Sequence, residues 1–336
     1  MSGIIFKRAR HYRTVDGRHI CGLCPHGCRI APGSRGICGT RLGAEKVLLA
    51  DNYAKVVAMN IDPMEKKPLY HFRPGELVMS VGGYGCNMDC LHCQNHSLST
   101  VRDGDGRHRT VPPHELVAIC RSEGVRNLAF TYNEPTIWHE YMMDIHMVAE
   151  GLDLIYVSNG YISPEPRKEV LERIAAMNLD VKGFSEEFYH KVTGSQLAPV
   201  LETAEDCLSA GVHLELTYLL IPDLNDDETQ LNGFCQWVSD VLGADVPVHF
   251  SAYHRDHRLC EGRDTSAADL LRAKKMAAEA GLRYVYLGNL PISEGQDTVC
   301  QSCGAVVVTR TGYKTDSKGL DGDSCAACGD SVNMRV

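Results

Sequence analysis

The sequence lacks any apolar run approaching the roughly 18 residues of a membrane-spanning helix. It also lacks a basic excess: 34 Lys and Arg stand against 43 Asp and Glu, for a formal net charge of −9. The basic residues 1–18 contain no apolar signal-peptide core. We therefore expect a cytoplasmic protein without a membrane partner. We expect no nucleic-acid partner either, because non-specific binding to nucleic acid needs a basic surface.

Cysteine, by contrast, is abundant, with 15 residues in a chain of 336. Eleven of them fall into three groups, and clustered cysteines in a chain without a signal peptide indicate metal sites more often than disulfides. The four scattered cysteines are interpreted as small buried core residues. These four are Cys120, Cys207, Cys235 and Cys260.

The central group has the spacing C-x3-C-x2-C and follows a strand-like apolar run at 77–81. Its members are Cys86, Cys90 and Cys93. Three thiolates are one too few for a closed zinc site or for a four-iron cluster ligated only by protein. The odd count predicts a cluster with one iron open to another ligand. A zinc site completed by His92 or His96 is the alternative.

Two four-cysteine groups flank the central one. The N-terminal group, spaced C-x2-C-x3-C-x9-C, consists of Cys21, Cys24, Cys28 and Cys38. The C-terminal group forms two C-x2-C-G knuckles 21 residues apart and consists of Cys300, Cys303, Cys325 and Cys328. We predict zinc or an auxiliary iron–sulfur cluster for the first group. For the second we predict a zinc-ribbon or rubredoxin-like centre holding zinc or iron.

Strand-like and helix-like segments alternate between the flanking groups. The strand-like runs are 77–81, 128–132, 154–158, 178–181, 212–221, 246–252 and 284–287. The helix-like segments are 113–124, 136–149, 164–177, 200–210, 228–242 and 266–280. This alternation predicts an α/β fold with a parallel sheet, built as a full or partial TIM-like (β/α) barrel. In such barrels the chemistry lies at the C-terminal ends of the strands.

We predict three parts of the chain. Residues 1–72 form a small N-terminal Cys-rich segment with strands, including a hairpin or two strands within 46–72. Residues 73–290 form the barrel core. Residues 291–336 form a metal-binding mini-domain, which is too short to be stable by burial alone.

The C-x3-C-x2-C loop resembles the signature of the radical S-adenosylmethionine (SAM) superfamily. The resemblance implies that Cys86, Cys90 and Cys93 are catalytic and bind a [4Fe–4S] cluster, with SAM as the second cofactor on the fourth iron. It also implies reductive cleavage of SAM to methionine and a 5′-deoxyadenosyl radical, which abstracts hydrogen from a substrate. One departure is His92, because the position before the third cysteine is usually aromatic or apolar in that superfamily.

Two further strand ends carry motifs similar to those that bind SAM in this superfamily. The segment T-Y-N-E-P-T implies cofactor contacts from Tyr132, Asn133 and Glu134, with Glu134 accepting from the methionine ammonium. In V-S-N-G-Y, Ser158 and Asn159 would bind the ribose hydroxyls.

Later strand ends continue the resemblance. Lys182, on the same strand face as Asp180, would bind the methionine carboxylate, with a salt bridge at the barrel mouth as the alternative. His254 would border the adenine or the substrate, with a plain rim histidine as the alternative. The loop I-P-D-L-N-D-D-E resembles the P-G-x-N-D loop of the pyruvate formate-lyase activating-enzyme branch, with Asp223 in place of glycine.

The order of motifs over roughly residues 20–330 is similar to that of the radical SAM member of the AmmeMemoRadiSam system, a relative of the glycyl-radical-enzyme activases. This implies a genomic association with Memo-like and AMMECR-like proteins, which are possible partners, and a reductant such as ferredoxin or flavodoxin. The substrate is a small molecule or a protein. Two alternatives remain open: an activase acting on a protein partner, and a non-catalytic zinc scaffold.

Overall fold

The protein is described by a computed structural model that covers residues 7–102 and 108–336. The strands are β1 (Lys7–Arg8), β2 (Tyr12–Val15), β3 (Arg18–Cys21), β4 (Arg29–Ile30), β5 (Arg41–Gly43), β6 (Leu48–Ala50), β7 (Lys55–Val56), β8 (Ala58–Pro63), β9 (Leu77–Gly82), β10 (Arg109–Thr110), β11 (Asn127–Phe130), β12 (Asp153–Ser158), β13 (Ala176–Asp180), β14 (His213–Leu220), β15 (Val248–Ala252), β16 (Val285–Gly288), β17 (Thr298–Val299), β18 (Val306–Thr311), β19 (Lys314–Asp316), β20 (Leu320–Asp321) and β21 (Ser324–Cys325).

The α-helices are α1 (His96–Ser99), α2 (Pro113–Ser122), α3 (His139–His146), α4 (Pro164–Leu171), α5 (Glu186–Phe188), α6 (Ala198–Ser209), α7 (Glu228–Trp237) and α8 (Ala267–Glu279). Two 3-10 turns (Met64–Lys66 and Pro135–Trp138) and two π-helical turns (Tyr189–Thr193 and Val238–Leu242) complete the helical structure of the described ranges. None of the helices in these ranges has the length and apolar character needed to cross a membrane.

The core of the fold is an eight-stranded sheet in the order β8-β9-β11-β12-β13-β14-β15-β16. The seven strands from β9 to β16 pair in parallel and follow one another in chain order, without the reversal of a doubly wound sheet. The strands β8 and β16 lie at opposite edges, so the barrel is partial. The predicted α/β fold is confirmed.

Several element boundaries differ from the sequence-based expectation. Helix α4 ends at Leu171 rather than continuing to residue 177, because residues 176–180 form a strand that pairs with both β12 and β14. Within 46–72, β8 does not pair as a local hairpin. Instead it runs antiparallel to β9 and becomes the edge of the main sheet.

The C-terminal part packs against the last strands of the sheet. The hairpin β18–β19 lies between the two cysteine knuckles. The buried side chains of Val307 and Val308 pack with Tyr284 and Tyr286 in one apolar cluster. Arg310 reaches across this interface, where its guanidinium lies 4.2 Å from the ring centre of Tyr70 and donates to the Tyr70 carbonyl at 2.7 Å. Buried apolar side chains and Arg310 therefore hold the C-terminal part against the core, in addition to the stabilisation that its four cysteines can give it.

The scattered cysteines follow the sequence-based interpretation with one exception. Cys120, Cys207 and Cys235 are buried in the main core. Cys260 is exposed, so the prediction was wrong for this residue. It lies in the irregular segment after β15, outside the packed layers.

Candidate cluster and cofactor site

The loop after β9 carries the three-cysteine group to the C-terminal edge of the sheet. Gly85 in this loop has φ +82°, a left-handed conformation that favours glycine. A Cβ added at Gly85 would overlap the carbonyl oxygen of Cys38. The absence of a side chain here allows the loop to lie directly against the N-terminal cysteine segment.

The side chain of Asn133 holds this loop from the neighbouring strand end. Its Oδ1 accepts from the backbone nitrogen of Gly83 at 3.1 Å, and its Nδ2 donates to the carbonyl of Gly85 at 3.0 Å. The preceding Tyr132 has φ +70°, unusual for a residue other than glycine, and its hydroxyl donates to Asp62 at 3.1 Å. Asn133 thus positions the backbone from which Cys86 projects.

One cleft of about 230 Å³ brings together nearly all the residues singled out in the sequence. Its lining includes Cys86, Cys90, Cys93, Tyr132, Asn133, Glu134, Ser158, Asn159, Asp180 and Lys182. His254 does not line this cleft; it is exposed, and its Nδ1 lies 3.5 Å from the carbonyl oxygen of Arg255. The strand ends gather the site because parallel strands present their C-terminal ends at one edge.

The carboxylate of Glu134 accepts hydrogen bonds from neighbouring residues of its own chain. Its carboxylate accepts from the Thr136 nitrogen at 2.9 Å and hydroxyl at 2.5 Å, from the Ser158 hydroxyl at 2.8 Å and from the Asn159 nitrogen at 2.8 Å. Burial raises the pKa of this carboxyl, although these hydrogen bonds oppose the rise. Three of these donors bind Oε1 and one binds Oε2, so Glu134 joins two strand ends while Oε2 keeps room for a further donor. Glu134 also lines the cleft, and its predicted role of receiving an ammonium group stays a prediction.

The side chains of Ser158 and Asn159 also have internal partners. Ser158 Oγ, besides donating to Glu134, accepts from the Gly160 nitrogen at 3.0 Å. Asn159 Nδ2 donates to Asn87 Oδ1 at 2.9 Å and lies 3.9 Å from Cys86 Sγ. Asn159 thus supports the cysteine loop, and Ser158 holds Glu134 and the backbone of Gly160. Both residues also line the cleft, and their predicted contact with ribose hydroxyls stays a prediction.

Asn87 was missed as a site residue by the sequence analysis. It is buried, and its Nδ2 donates to the carbonyl of Tyr161 at 2.8 Å. Its position directly after Cys86 was the available signal. Thr217, Ser251 and Asn289 also line the cleft from later strand ends, where only their polar character could have marked them.

Lys182 and Asp180 form an ion pair inside the cleft. Burial opposes the charge on Lys182, but the Asp180 carboxylate outweighs it and raises the pKa of the ammonium. The other oxygen of Asp180, Oδ1, is buried without a hydrogen-bond partner among the described residues. The pair therefore offers both a cation and a free acceptor, which complement the charges of an amino-acid group. Lys182 can therefore form the salt bridge with Asp180 and still bind a ligand in the cleft.

The cysteine thiols fit a metal cluster. Burial raises the pKa of Cys90 to about 12 and that of Cys86 well above its ordinary value. Protonated thiols in this setting lose their protons when a metal binds, so metal affinity depends on pH. Both ring nitrogens of His92 are buried without a partner within the described ranges, and burial, followed by Lys182, lowers its pKa to about 3. A neutral polar ring thus borders the cysteines.

The C-terminal cysteines fit a single ion. All four sulfur atoms lie within 4.8 Å of one another, and both the Cys300–Cys328 and the Cys303–Cys325 sulfur pairs are 3.7 Å apart. A tetrahedron with Zn–S bonds of about 2.3 Å has sulfur–sulfur edges of about 3.8 Å. The arrangement matches a zinc-ribbon knuckle.

The N-terminal cysteines line a separate small pocket together with Arg41. The guanidinium of Arg41 is buried and donates to Glu140 at 2.7 Å, while its Nε and Nη2 have no hydrogen-bond partner among the described residues. A buried cation with free donors complements the negative charge of a centre made of four thiolates. The pocket therefore suits a centre made of four thiolates, although these sulfur atoms are not gathered as closely as those of the C-terminal group.

Comparisons with known proteins show what this chain is similar to. A family model described as the Radical SAM superfamily matches residues 80–231. The chain is 37% identical over 333 residues to an uncharacterized protein of Methanocaldococcus jannaschii, covering 98% of this chain and 99% of that protein. It is 22% identical over 244 residues to a GTP 3′,8-cyclase of Clostridium perfringens, covering 68% of this chain and 76% of the cyclase. A domain of a pyruvate-formate lyase-activating enzyme from Bacteroides vulgatus has a TM-score of 0.42 at 15% identity, covering 48% of this chain and 98% of that domain.

Proposed function

We propose a reaction on the premise that this chain belongs to the Radical SAM superfamily. The reaction is the reductive cleavage of SAM to methionine and a 5′-deoxyadenosyl radical, which takes hydrogen from an unidentified substrate. The observation that carries the proposal is the gathering of Cys86, Cys90 and Cys93 with polar strand ends in one cleft. The three thiolates would hold a [4Fe–4S] cluster, which would supply the electron and a site for the amino-acid part of SAM.

The chain's own residues hold and orient the reactants. Asn133 fixes the loop backbone before Cys86, and Asn87 with Asn159 supports the same loop from below. The ammonium of Lys182 provides a cation for a carboxylate, and Asp180 Oδ1 provides an acceptor for an ammonium group. Complementary charges in a partly enclosed cleft favour the zwitterionic end of SAM.

The test is an anaerobic assay of 5′-deoxyadenosine after cluster reconstitution, with dithionite as the reductant. The wild type is expected to form 5′-deoxyadenosine from SAM. Variants Cys86→Ala, Cys90→Ala and Cys93→Ala should each lose this activity and about four irons per chain. Cys235→Ala, at a buried cysteine of the main core, is the control and should retain both. Equal product from the site variants, or none from a fully loaded wild type, would contradict the proposal.

We extend the proposal to the two flanking centres and to the cellular setting. The C-terminal cysteines would hold zinc, supported by their 3.7 Å sulfur pairs, and the N-terminal four would hold zinc or an auxiliary iron–sulfur cluster. Analysis of iron, acid-labile sulfide and zinc distinguishes these cases: about four irons leave both flanking sites to zinc, and about eight make one a cluster. The order of motifs supports an AmmeMemoRadiSam assignment. A cytoplasmic location and a flavodoxin- or ferredoxin-type donor are further parts of this proposal.

A further inference from the structure

Three potential metal ligands converge at a place outside the cleft. His11 lies between β1 and β2, His139 begins α3 and Glu169 lies on α4. The Nε2 atoms of the two histidines are 3.2 Å apart. Glu169 Oε2 lies 3.2 Å from His139 Nε2 and 3.4 Å from His11 Nε2. The three atoms thus form a nearly equilateral triangle.

The size of this triangle matches one metal ion. With edges of 3.2, 3.2 and 3.4 Å, its centre lies about 1.9 Å from each atom. Zinc bonds to imidazole nitrogen and carboxylate oxygen are about 2.0–2.2 Å long, so an ion would sit just above the plane of the three atoms. Two imidazoles and one carboxylate suit Zn²⁺ or Fe²⁺ rather than the oxygen-bound Mg²⁺ or Ca²⁺. One side of the ion remains open to a further ligand.

Hydrogen bonding alone does not satisfy all three edges of the triangle. If both Nε2 atoms carry protons, each can donate to Glu169, but the two donors then face each other at 3.2 Å. If only one Nε2 atom carries a proton, the other, unprotonated Nε2 atom lies beside the carboxylate of Glu169 and beside the protonated Nε2 atom. The carboxylate repels its lone pair, and the proton of the other ring is already donated to Glu169. A cation can accept a lone pair from each of the three atoms, which lie close enough together to bind one ion.

The local structure holds the ligands in place. The ring of His139 is fully buried, and the side chain of His11 is 10% exposed. His11 has φ +50°, a conformation that costs free energy outside glycine and is retained where surrounding contacts impose it. Its carbonyl accepts from the Gly22 nitrogen at 2.7 Å, and its ring meets that of His139 edge-on, with centres 4.9 Å apart.

Arg10 is the competing cation at this place. Its Nη2 lies 3.3 Å from Glu169 Oε2 and 3.4 Å from Oε1. Because the Arg10 side chain is about half exposed, it can turn into solvent at little cost when an ion occupies the triangle. Glu169 itself keeps 28% of its side chain exposed, so an ion has access from this side.

We propose that His11, His139 and Glu169 bind one divalent transition-metal ion, of which zinc is the favoured species. The ion would tie the N-terminal segment to helices α3 and α4 and stabilise the folded chain by its binding free energy. This site is separate from the three cysteine groups and does not depend on SAM cleavage.

The test compares zinc content and zinc-dependent melting in the full chain. Glu169→Gln and His139→Gln are dialysed with the wild type against Zn²⁺ at one buffered free concentration, and zinc is measured by mass spectrometry. Each variant should hold one zinc fewer than the wild type, and the rise in Tm on adding Zn²⁺ should be smaller than in the wild type, because the C-terminal cysteines still bind zinc. His146→Gln, at an exposed histidine on the same helix, and Glu172→Gln are the controls and should match the wild type.

A second measurement keeps the test decisive if a variant fails to fold. Crystals of the wild type soaked with Zn²⁺ and measured at the zinc absorption edge should show an anomalous peak bonded to all three ligand atoms. No peak at the triangle, or equal zinc content and equal Tm shifts in folded Glu169→Gln and the wild type, would overturn the proposal.

Discussion

The carboxylate of Glu134 accepts a hydrogen bond of 2.8 Å from the hydroxyl of Ser158, which joins the ends of two neighbouring parallel strands beside the three cysteines. Both residues lie in sequence motifs that resemble cofactor-binding segments, yet their polar atoms bind each other. The cysteine thiols and the Lys182–Asp180 pair line the same cleft, and under the proposed function they bind the cluster and the amino-acid part of SAM.

Replacing Glu134 should destabilise the protein more than replacing one of its partners. Glu134→Ala leaves the donors of Thr136, Ser158 and Asn159 buried without an acceptor, at a cost of about 3–5 kcal/mol. Ser158→Ala removes one donor and should cost about 1 kcal/mol. Differential scanning calorimetry measures both losses. A drop in Tm for Glu134→Ala no larger than that for Ser158→Ala would show that this carboxylate does not hold the strand ends together.

Removing the Asn133 side chain should loosen the cysteine loop without unfolding the chain. Asn133→Ala loses the bonds to Gly83 and Gly85, worth about 1–3 kcal/mol together, so we expect 5′-deoxyadenosine formation to fall at least about fivefold. Asn133→Asp keeps an oxygen that accepts from the Gly83 nitrogen. If this hydrogen bond matters more than the one to the Gly85 carbonyl, Asn133→Asp should lose less 5′-deoxyadenosine formation than Asn133→Ala. Zinc content should remain unchanged in both. Full activity with a normal iron count in Asn133→Ala would rule out this positioning role.

Breaking the C-terminal zinc site should affect stability and spare the cleft. Cys328→Ser removes one of four sulfur ligands, so the chain should lose about one zinc and show a lower Tm. Ser302→Ala, within the knuckle but without a sulfur ligand, serves as the control. The iron count should not change, because the three cleft cysteines lie elsewhere. A variant that keeps its zinc would contradict the four-sulfur assignment.

Acid should destabilise the protein partly through His71. This ring is fully buried; its Nδ1 lies 2.5 Å from the Asn333 carbonyl oxygen, to which it donates, and its Nε2 lies 2.5 Å from the Tyr286 hydroxyl. Burial lowers the pKa of His71 to about 4, below the value of about 6.5 in an unfolded chain. The unfolded chain therefore binds more protons between these values, and the contribution of His71 to stability is complete above pH 6.5.

The contribution of His71 to the free energy of unfolding is lost progressively as the pH falls from 6.5 through 4. About 2 kcal/mol should be lost by pH 5. His71→Gln cannot take up this proton, so its Tm should fall less than that of the wild type between pH 7.5 and pH 5. His190→Gln, at an exposed position, is the matched control. Parallel Tm curves for the wild type and His71→Gln would refute the assignment of this proton uptake to His71.

The sequence alone was sufficient for features whose information is local. The alternation of strand and helix patterns predicted the parallel sheet, because apolar periodicity reports burial within a single element. The spacing of Cys86, Cys90 and Cys93 predicted one loop with one site, since a few residues of chain cannot separate the sulfur atoms widely. The C-terminal knuckles were predicted for the same reason.

The tertiary structure decided the features that depend on partners distant in the chain. The motif containing Glu134 does not reveal that Ser158 and Asn159 occupy its oxygens, because a polar side chain is equally compatible with a ligand or with a neighbour. His11 and His139 are separated by 128 residues, and no spacing rule connects them. Folding brings them to 3.2 Å because the N-terminal segment packs on helices α3 and α4, a contact set by long-range packing rather than by either local sequence.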